Sequence, residues 1–88
     1  MKVQATRQFD AALERLKNPR LEGRVLEVIE NLEAASTLKD VPQIKKLQGY
    51  KTAFRIRLGD FRLGFHYDGD FVTLDFIGLR KDFYRHFP

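Results

Sequence analysis

The sequence contains no cysteine, and this absence excludes several kinds of site at once. Without cysteine there is no disulfide framework, no thiolate metal site and no cysteine nucleophile, which is consistent with a reducing compartment. The first ten residues, MKVQATRQFD, include no apolar core of a signal peptide, and no apolar run approaches the length that spans a membrane. We therefore expect a cytoplasmic protein without a membrane partner.

The sequence also lacks internal repeats, low-complexity segments and a glycine-rich phosphate loop. Its 88 residues are enough for one small core, so residues 1–88 are expected to form a single domain. The net charge of +4 is uneven, because residues 41–88 carry nine Lys and Arg against five acidic residues, whereas residues 1–40 carry seven of each. A basic half beside a neutral half indicates an anionic partner.

Residues 53–80 contain three runs of alternating apolar and polar residues, separated by two short turn signals. Gly59-Asp60 is typical of a type II′ turn, and Asp68-Gly69 of a type I′ turn, in which both central residues have positive φ. Linkers of this composition between alternating runs predict β-hairpins. The segment is therefore predicted to be a three-stranded antiparallel meander.

The two turns also predict which residues face each other across the strands. The predicted pairs are Phe54–Phe65, Arg57–Arg62, Phe65–Val72, Leu63–Leu74 and Arg62–Asp75. Because side chains alternate between the faces of a strand, one predicted face is apolar: Phe54, Ile56, Leu58, Phe61, Leu63, Phe65, Val72, Leu74 and Phe76. The opposite face carries Arg55, Arg57, Arg62, Gly64, His66, Thr73 and Asp75.

The polar face concentrates positive charge. Arg57 is predicted to lie opposite Arg62 with Arg55 on the diagonal, and like charges in such positions destabilise a sheet. Asp75 would offset only part of this charge, and Gly64 would leave open space beside it. A solvated basic face is one interpretation. Three guanidinium groups on one patch of a rigid sheet favour an anion site, with nucleic acid as the obvious polyanion.

The first half of the chain predicts a short strand over residues 1–5 and then two amphipathic helices. Thr6 is a predicted N-cap, and Asn18-Pro19 is a predicted cap followed by proline at the first helical position. Apolar residues at helical spacing follow each cap, and the second helix ends near Ala35. The helices carry no histidine, so we expect a helical hairpin that only packs on the sheet. Residues 36–50 are predicted to be a connector.

Residues 78–88 follow the third strand of the meander and predict a short helical turn. The spacing of Arg80 and Tyr84 at i and i+4 places them on one side of that turn. If the turn folds back, both side chains reach the arginines of the polar face; the alternative for Tyr84 is a packing role with an exposed hydroxyl. The complete prediction is an α+β fold in the order β-α-α-β-β-β with a short C-terminal helical turn.

Three segments carry a resemblance to a known family: KLQGY at residues 46–50, FRIRLGDFRL at 54–63 and GLRKDFYR at 78–85. In this order and spacing they resemble the RelE/ParE superfamily of bacterial toxins from type II toxin–antitoxin pairs, over nearly the whole chain. Resemblance to the RelE branch implies a microbial-ribonuclease-like α+β domain that enters the ribosomal A site and cleaves messenger RNA. It implies no metal and no cofactor.

The resemblance also implies site residues and partners. The catalytic set is expected at the matching positions Arg55, Arg57, Arg62, Arg80 and Tyr84. Further basic residues expected to contact RNA are Lys45, Lys46, Lys51, Lys81 and Arg85. A cognate antitoxin is implied as a partner, bound along the basic sheet face or the helical hairpin, with the ribosome and mRNA as targets. The toxin–antitoxin complex is a candidate for binding its own operator DNA.

Three positions depart from the family pattern. Positions 55 and 57 are often lysine in active members and are both arginine in this sequence, and arginine cannot act as a general base at neutral pH. Leu79 stands where many relatives have histidine. The remaining candidates for proton transfer are His66, Asp75, Tyr84 and His86, and the sequence leaves the choice open.

Two other functions also stay open at this point. One is a ParE-like toxin that inhibits DNA gyrase without being an enzyme. The other is a degenerate relative that only binds its antitoxin and acts in autoregulation, an interpretation that the missing histidine favours.

Overall fold

The predicted α+β fold is confirmed by the computed structural model, which describes all residues from Met1 to Pro88. The elements in chain order are β1 (Lys2–Ala5), α1 (Arg7–Leu16), α2 (Pro19–Ala34), a 3₁₀ helix (Leu38–Asp40), β2 (Ile44–Lys46), β3 (Ala53–Leu58), β4 (Phe61–Tyr67), β5 (Phe71–Leu79) and α3 (Arg80–His86). None of the helices is long and apolar enough to cross a membrane.

Both predicted helix starts are confirmed by side-chain caps. Thr6 Oγ1 accepts a hydrogen bond from the Phe9 amide at 3.1 Å, and Asn18 Oδ1 accepts one from the Leu21 amide at 3.1 Å. These bonds satisfy backbone donors that have no partner within the first helical turn. The apolar sides of α1 and α2 pack on one face of the sheet and form the main core with it.

The sheet has five strands in the order β1-β5-β4-β3-β2. β1 runs parallel to β5, and the other neighbouring strands are antiparallel. The prediction missed β2 and placed it within the connector. This edge strand has only three residues, two of them lysines, so it shows no alternating pattern, and lysine on an edge is a common protection against further strand pairing.

The predicted register of the first hairpin is confirmed. Phe54 lies opposite Phe65, and Arg57 lies opposite Arg62. Gly59 has a φ of 62°, which is the positive value that the first position of a type II′ turn requires. A local turn therefore determines the register of the two strands that carry most of the basic face.

The predicted register of the second hairpin is wrong. The observed pairs are Phe65–Leu74, Leu63–Ile77 and Arg62–Gly78. The loop is longer than a two-residue type I′ turn, since Tyr67 pairs with Val72 and only Gly69 of the predicted turn pair has a positive φ, of 96°.

A β-bulge at Asp75 then exchanges the two faces of β5. Beyond it, Ile77 takes the core position opposite Leu63, while Phe76 lies opposite Gly64 on the other face. The prediction that Phe76 belongs to the helix-packed face is therefore wrong.

α3 covers part of the second face of the sheet. Phe83 and Phe87 are 0% and 1% exposed, and a Cβ at Gly64 would lie 2.5 Å from the Phe87 ring. The predicted open space beside Gly64 is therefore wrong, because Phe87 fills it. The Phe76 ring completes this cluster at 6.3 Å from the centroid of Phe83. Aromatic packing thus fixes α3 on the face that carries the arginines.

The Asp68 carboxylate closes the loop between β4 and β5. Its Oδ1 accepts hydrogen bonds from the amides of Phe71 at 2.8 Å and Asp70 at 2.9 Å, and these bonds lower the pKa of Asp68. The folded state therefore binds this proton less tightly than the unfolded state does. The carboxylate stabilises the fold above the unfolded pKa of about 3.9, and this contribution is lost as the pH falls through the lowered folded pKa.

We expect Asp68→Ala to lower the urea midpoint of unfolding at neutral pH and to lower it progressively less as the pH falls below the unfolded pKa of about 3.9 and the wild-type carboxyl becomes protonated. Asp70→Ala is the matched control, because the Asp70 side chain accepts no hydrogen bond in the structure. A difference between Asp68→Ala and wild type that is the same at neutral and at acidic pH would contradict the assignment.

Candidate functional site

Four arginines converge on the sheet face that α3 partly covers, and we call Arg55, Arg57, Arg62 and Arg80 the arginine cluster. Arg57 lies directly opposite Arg62 on the adjacent strand, and Arg55 lies two residues further along, opposite Gly64. Residues that face each other across two strands share one side of a sheet. The structure therefore brings the three strand arginines together as the first hairpin predicted.

α3 adds Arg80 and Tyr84 to this face. The Arg80 amide donates a hydrogen bond to the Asp60 carbonyl at 2.9 Å, which ties the start of α3 to the turn between β3 and β4. Tyr84 follows one helical turn later and is 56% exposed. Its ring meets the buried Phe83 ring edge to face, with centroids 4.9 Å apart. The exposed tyrosine is thus held at the border of the cluster.

Arg62 is the buried member of the cluster, with 7% of its surface exposed. Its Nη1 donates hydrogen bonds to the carbonyls of Gly59 at 2.7 Å and Phe61 at 2.9 Å. Burial lowers the pKa of Arg62, the charges of the other three cluster arginines lower it further, and Tyr84 acts in the opposite direction. All four groups therefore lie close around one guanidinium.

No acidic side chain neutralises the arginine cluster. The ion pairs of the structure join Arg85 to Asp82 at 3.3 Å and His66 to Asp75 at 3.9 Å, and no cluster arginine takes part. Asp75 was predicted to offset the strand arginines, but it accepts a hydrogen bond from Thr6 Oγ1 at 3.2 Å instead. The positive charge is left for a partner outside the chain.

Arg55 also has donor capacity that the protein leaves unused. Its Nε is buried without a hydrogen-bond partner, and its Nη1 reaches the Gln43 carbonyl only at 3.4 Å. Buried donors without partners destabilise a fold, and so do like charges held close together. A phosphate group bound to the exposed Arg57 and Arg80 would offset the repulsion between the arginines, since its oxygens match the fork of a guanidinium. The arrangement therefore suits a phosphate-bearing ligand.

Comparison with known proteins decides the family. Over 66 residues, which are 74% of this chain and 75% of the relative, the sequence is 35% identical to Toxin RelE3 of Methanocaldococcus jannaschii. The chain belongs to the RelE family of toxins. A scan against family profiles finds no match.

Solved structures show the same fold. The RelB–RelE antitoxin–toxin complex from Methanococcus jannaschii matches with a TM-score of 0.82 and 27% identity, over 97% of this chain and 99% of that chain. The archaeal RelE–RelB complex from Pyrococcus horikoshii OT3 matches with a TM-score of 0.70 and 24% identity, over 90% of this chain and 93% of that chain. YafQ from E. coli strain BL21(DE3) matches with a TM-score of 0.64 and 13% identity, over 91% of this chain and 93% of that chain. The RelE-like fold is thus confirmed along nearly the whole chain.

His66, a predicted proton-transfer residue of this RelE-family chain, lies on the same face as the arginine cluster, diagonal to Arg55 and away from Arg62. Its Nδ1 shares a hydrogen bond with Thr52 Oγ1 at 2.9 Å, and its ring packs on Phe87 at 5.2 Å. Phe87 covers Gly64, which lies between His66 and Arg62 on β4. Four residues of strand separate the backbones of His66 and Arg62 by roughly 13 Å.

Asp75 and His86 make no ion pair or side-chain hydrogen bond with a cluster arginine. Asp75 lies beside Thr6 and His66, and the His86 ring packs on Phe76 at 5.0 Å. Of the four predicted candidates for proton transfer, Tyr84 is the one that lies beside Arg80, at the Arg62 end of the cluster.

The two β2 lysines that were predicted to contact RNA lie on different faces. Lys45 lies opposite Arg55 and shares the face of the arginine cluster, whereas Lys46 lies opposite Phe54 on the other face. Lys46 Nζ donates a hydrogen bond to the Tyr50 carbonyl at 2.6 Å. Only Lys45 extends the basic face along the sheet.

The other three predicted RNA contacts surround the site without joining it. Lys51 is exposed in the loop before β3, and Lys81 is exposed beside Arg80. Arg85 is paired with Asp82.

Sequence reasoning missed two residues that border the RelE-like cluster. The Gln43 carbonyl accepts a hydrogen bond from the Arg57 amide at 3.2 Å, and Arg24 Nη1 lies 3.3 Å from the position of a Cβ at Gly59. The sequence pattern places Arg24 on the solvated face of α2, and Gln43 belongs to no motif. Only the folded arrangement of α2, β3 and the loop before β2 brings them to the site.

Proposed function

We propose that this RelE-family chain is the toxin of a toxin–antitoxin pair and that it cleaves messenger RNA in the ribosomal A site. The observation that carries the proposal is the arginine cluster, which is partly buried, bordered by Tyr84 and free of any neutralising carboxylate. Such a site binds a phosphate backbone and supplies positive charge where negative charge develops during phosphoryl transfer.

The cluster suits cleavage of RNA by its own 2′-hydroxyl. In this reaction the 2′-oxygen attacks the adjacent phosphorus, a proton leaves the 2′-oxygen, and the bond to the 5′-oxygen breaks as that oxygen takes up a proton. The pentacoordinate phosphorane between these steps carries extra negative charge. Fixed guanidinium donors stabilise that charge, and burial of Arg62 strengthens the effect because water screens it less.

Tyr84 has two roles in the proposal. Its exposed ring offers a surface on which a splayed RNA base stacks, as is common in single-stranded RNA recognition. Its hydroxyl is the proton-transfer group beside the cluster, since arginine does not titrate near neutral pH and position 79 is leucine.

The cognate partner is proposed to be a RelB-like antitoxin. The solved RelE structures that this chain resembles hold RelE together with RelB. An acidic segment laid across the arginine cluster would neutralise it and keep the toxin inactive. The same complex is the proposed form that binds operator DNA.

The test is induced expression with growth measured and cuts in translated mRNA mapped by primer extension. Wild type is expected to arrest growth and to cut mRNA, and Tyr84→Ala to lose both. Tyr84→Phe keeps the stacking ring and loses the hydroxyl, so we expect it to lower cleavage by roughly 100-fold or more, the usual range for a missing proton-transfer group. Arg7→Ala removes one positive charge from the exposed surface of α1 and is expected to behave as wild type.

Other outcomes would remove the proposal. Growth arrest with DNA damage and intact mRNA would identify a gyrase inhibitor instead. A chain that is harmless without any antitoxin would be a binding relative with no nuclease activity. Full cleavage by Tyr84→Phe would leave the nuclease in place and remove the tyrosine hydroxyl from proton transfer.

A further inference from the structure

Residues 41–59 form the longest stretch of the chain without an acidic residue. Five basic residues lie in it: Lys45, Lys46, Lys51, Arg55 and Arg57. They belong to β2, to β3 and to the loop of residues 47–52 that joins these strands. β2 is an edge strand of the sheet. Residues 44–58, which we call the basic hairpin, are therefore a positively charged arm along one edge of the fold.

The basic hairpin continues the arginine cluster on the same face of the sheet. Arg57 belongs to the cluster, Arg55 lies two residues before it on β3, and Lys45 lies opposite Arg55 on β2. Residues at such positions share one side of a sheet. Lys45 and Arg57 are exposed, and α3 packs mainly on β4 and β5. A ligand bound to the arginine cluster therefore reaches the loop of the hairpin along one face.

An exposed aromatic ring stands in the loop of the basic hairpin. Tyr50 is 51% exposed, and Tyr84 beside the arginine cluster is 56% exposed, whereas all other phenylalanine and tyrosine side chains are buried or half-buried. Lys51 follows Tyr50 directly and is also exposed. The two exposed rings of the chain thus lie at opposite ends of one basic surface.

The backbone of Tyr50 is held from both sides. Its amide donates a hydrogen bond to the Leu47 carbonyl at 3.3 Å, and its carbonyl accepts one from Lys46 Nζ at 2.6 Å. Gly49 precedes it with a φ of 88°, the value that the third residue of a type II turn requires. The turn therefore presents the ring to solvent on a fixed backbone, and little freedom is lost when a ligand packs against it.

We propose that Tyr50 is a second base-stacking site for single-stranded RNA, an inference that rests on the proposed function. The strand whose scissile phosphate lies in the arginine cluster continues past Arg55 and Lys45, and a base several nucleotides from the cut stacks on the Tyr50 ring. Such stacking accepts any base, because every base has a flat π face. Tyr84 and Tyr50 hold the strand at its two ends, and the basic side chains between them neutralise its phosphates.

The length of the hairpin determines how much RNA is needed to reach Tyr50. Arg57 and Ala53 are four residues apart on β3, which corresponds to roughly 13 Å, and the loop extends beyond Ala53. A single nucleotide bound at the arginine cluster cannot cover this distance. The contribution of Tyr50 to binding is therefore expected to depend on RNA length, which a purely structural role of the ring would not produce.

The test measures binding of oligouridines of about three to twelve nucleotides to the purified chain by fluorescence anisotropy. For wild type, affinity is expected to rise with length until the strand reaches the loop of the hairpin. Tyr50→Ala should bind the shortest RNAs as wild type does and the longest ones roughly 5- to 100-fold more weakly, the range for the loss of one base–aromatic stack. Tyr50→Phe keeps the ring and should match wild type at every length.

Leu26→Ala is the matched control, because it removes a large side chain that is 61% exposed on α2, outside the basic hairpin. It should bind RNAs of every length as wild type does. Equal binding of the longest RNAs by wild type and Tyr50→Ala would overturn the inference, and so would a Tyr50→Phe variant as weak as Tyr50→Ala.

Two further outcomes would assign the ring to another partner and also overturn the inference. One is weaker binding of the antitoxin by Tyr50→Ala with unchanged binding of long oligouridine. The other is weaker binding of ribosomes without mRNA, again with unchanged binding of long oligouridine, which would place Tyr50 against the ribosome itself.

The same proteins are then assayed for cleavage of ribosome-bound mRNA. Cleavage by wild type, together with equal binding of long RNA by Tyr50→Ala, would remove the second stacking site and leave the nuclease in place. Length-dependent binding through Tyr50 without any cleavage would do the reverse. The two failures are therefore distinguishable.

Discussion

Replacing Arg62 with leucine is expected to reduce mRNA cleavage strongly and at the same time to make the protein more stable. The loss of cleavage follows from the place of Arg62 at the centre of the arginine cluster. Removing one fixed donor from a site that stabilises developing negative charge lowers the rate by roughly 100- to 1,000-fold.

The gain in stability follows from the electrostatics of the free protein. Arg62 is buried, has no carboxylate partner and lies among three other arginines, and burial followed by these charges lowers its pKa. At neutral pH the charged Arg62 therefore reduces the free energy of unfolding. Leucine removes this repulsion and places an apolar side chain at a buried position, while two carbonyls lose a donor. We expect a net gain of about 0.5–2 kcal/mol, the range of single stabilising substitutions.

Urea unfolding and single-turnover cleavage on the same preparations measure both effects. Arg7→Ala is the control, because it removes a charge of the same sign from an exposed position on α1, and neither quantity should change. A less stable Arg62→Leu protein would show that its two carbonyl contacts outweigh the repulsion. A stable, folded Arg62→Leu protein that cleaves at the wild-type rate would remove Arg62 from the catalytic set.

Replacing Phe83 with alanine is expected to lower the free energy of unfolding by about 3–5 kcal/mol, which is typical for a buried phenylalanine. Phe83 is fully buried between α3 and the sheet, where its ring contacts those of Phe76 and Phe87. α3 has only seven residues, and a helix of this length does not persist without tertiary contacts.

Cleavage should fall together with stability in Phe83→Ala, because α3 carries Arg80 and Tyr84 to the cluster. Phe83→Leu keeps most of the apolar volume and is expected to retain a large part of the stability and of the cleavage activity. Tyr84→Ala provides the contrast, since it removes an exposed side chain and should lower cleavage with little change in stability. If Phe83→Ala unfolds at the wild-type urea concentration, α3 does not depend on this contact.

The parts of the site that were predictable from sequence are those set by local chemistry. The Gly59-Asp60 turn defines the register of β3 and β4 within a few residues, so the pairing of Arg57 with Arg62 was predicted correctly. The caps at Thr6 and Asn18 are equally local. The spacing of Arg80 and Tyr84 predicted that they share one side of a C-terminal helical turn, and the resemblance to RelE toxins added the expectation that both belong to the catalytic set.

The parts that were wrong depend on contacts between distant segments. The Thr6 amide donates to the Leu74 carbonyl at 3.0 Å, and Thr6 Oγ1 donates to the Asp75 carboxylate at 3.2 Å. The bulge at Asp75 therefore lies where the start of α1 contacts β5, and no sequence pattern within β5 predicts it. Phe76 changes faces as a consequence.

The glycine at position 64 was misread for a similar reason. A glycine in a strand marks either open space or the close approach of another group, and the sequence of β4 does not distinguish them. Phe87 lies 23 residues later in the chain and fills the space. The burial of Arg62 could not be predicted either, because its guanidinium folds back onto the carbonyls of Gly59 and Phe61 at the turn.

The most direct test of the account uses purified ribosomes that hold an mRNA with a defined codon in the A site. Wild-type protein is predicted to cut this mRNA once and to leave a 2′,3′-cyclic phosphate, and a single 2′-deoxy substitution at the nucleotide before the cut should abolish cleavage, because the attacking hydroxyl is then missing. An mRNA left uncut under these conditions, or one cut equally well with the 2′-deoxy nucleotide, would contradict the assignment of the arginine cluster as an RNA-cleaving site.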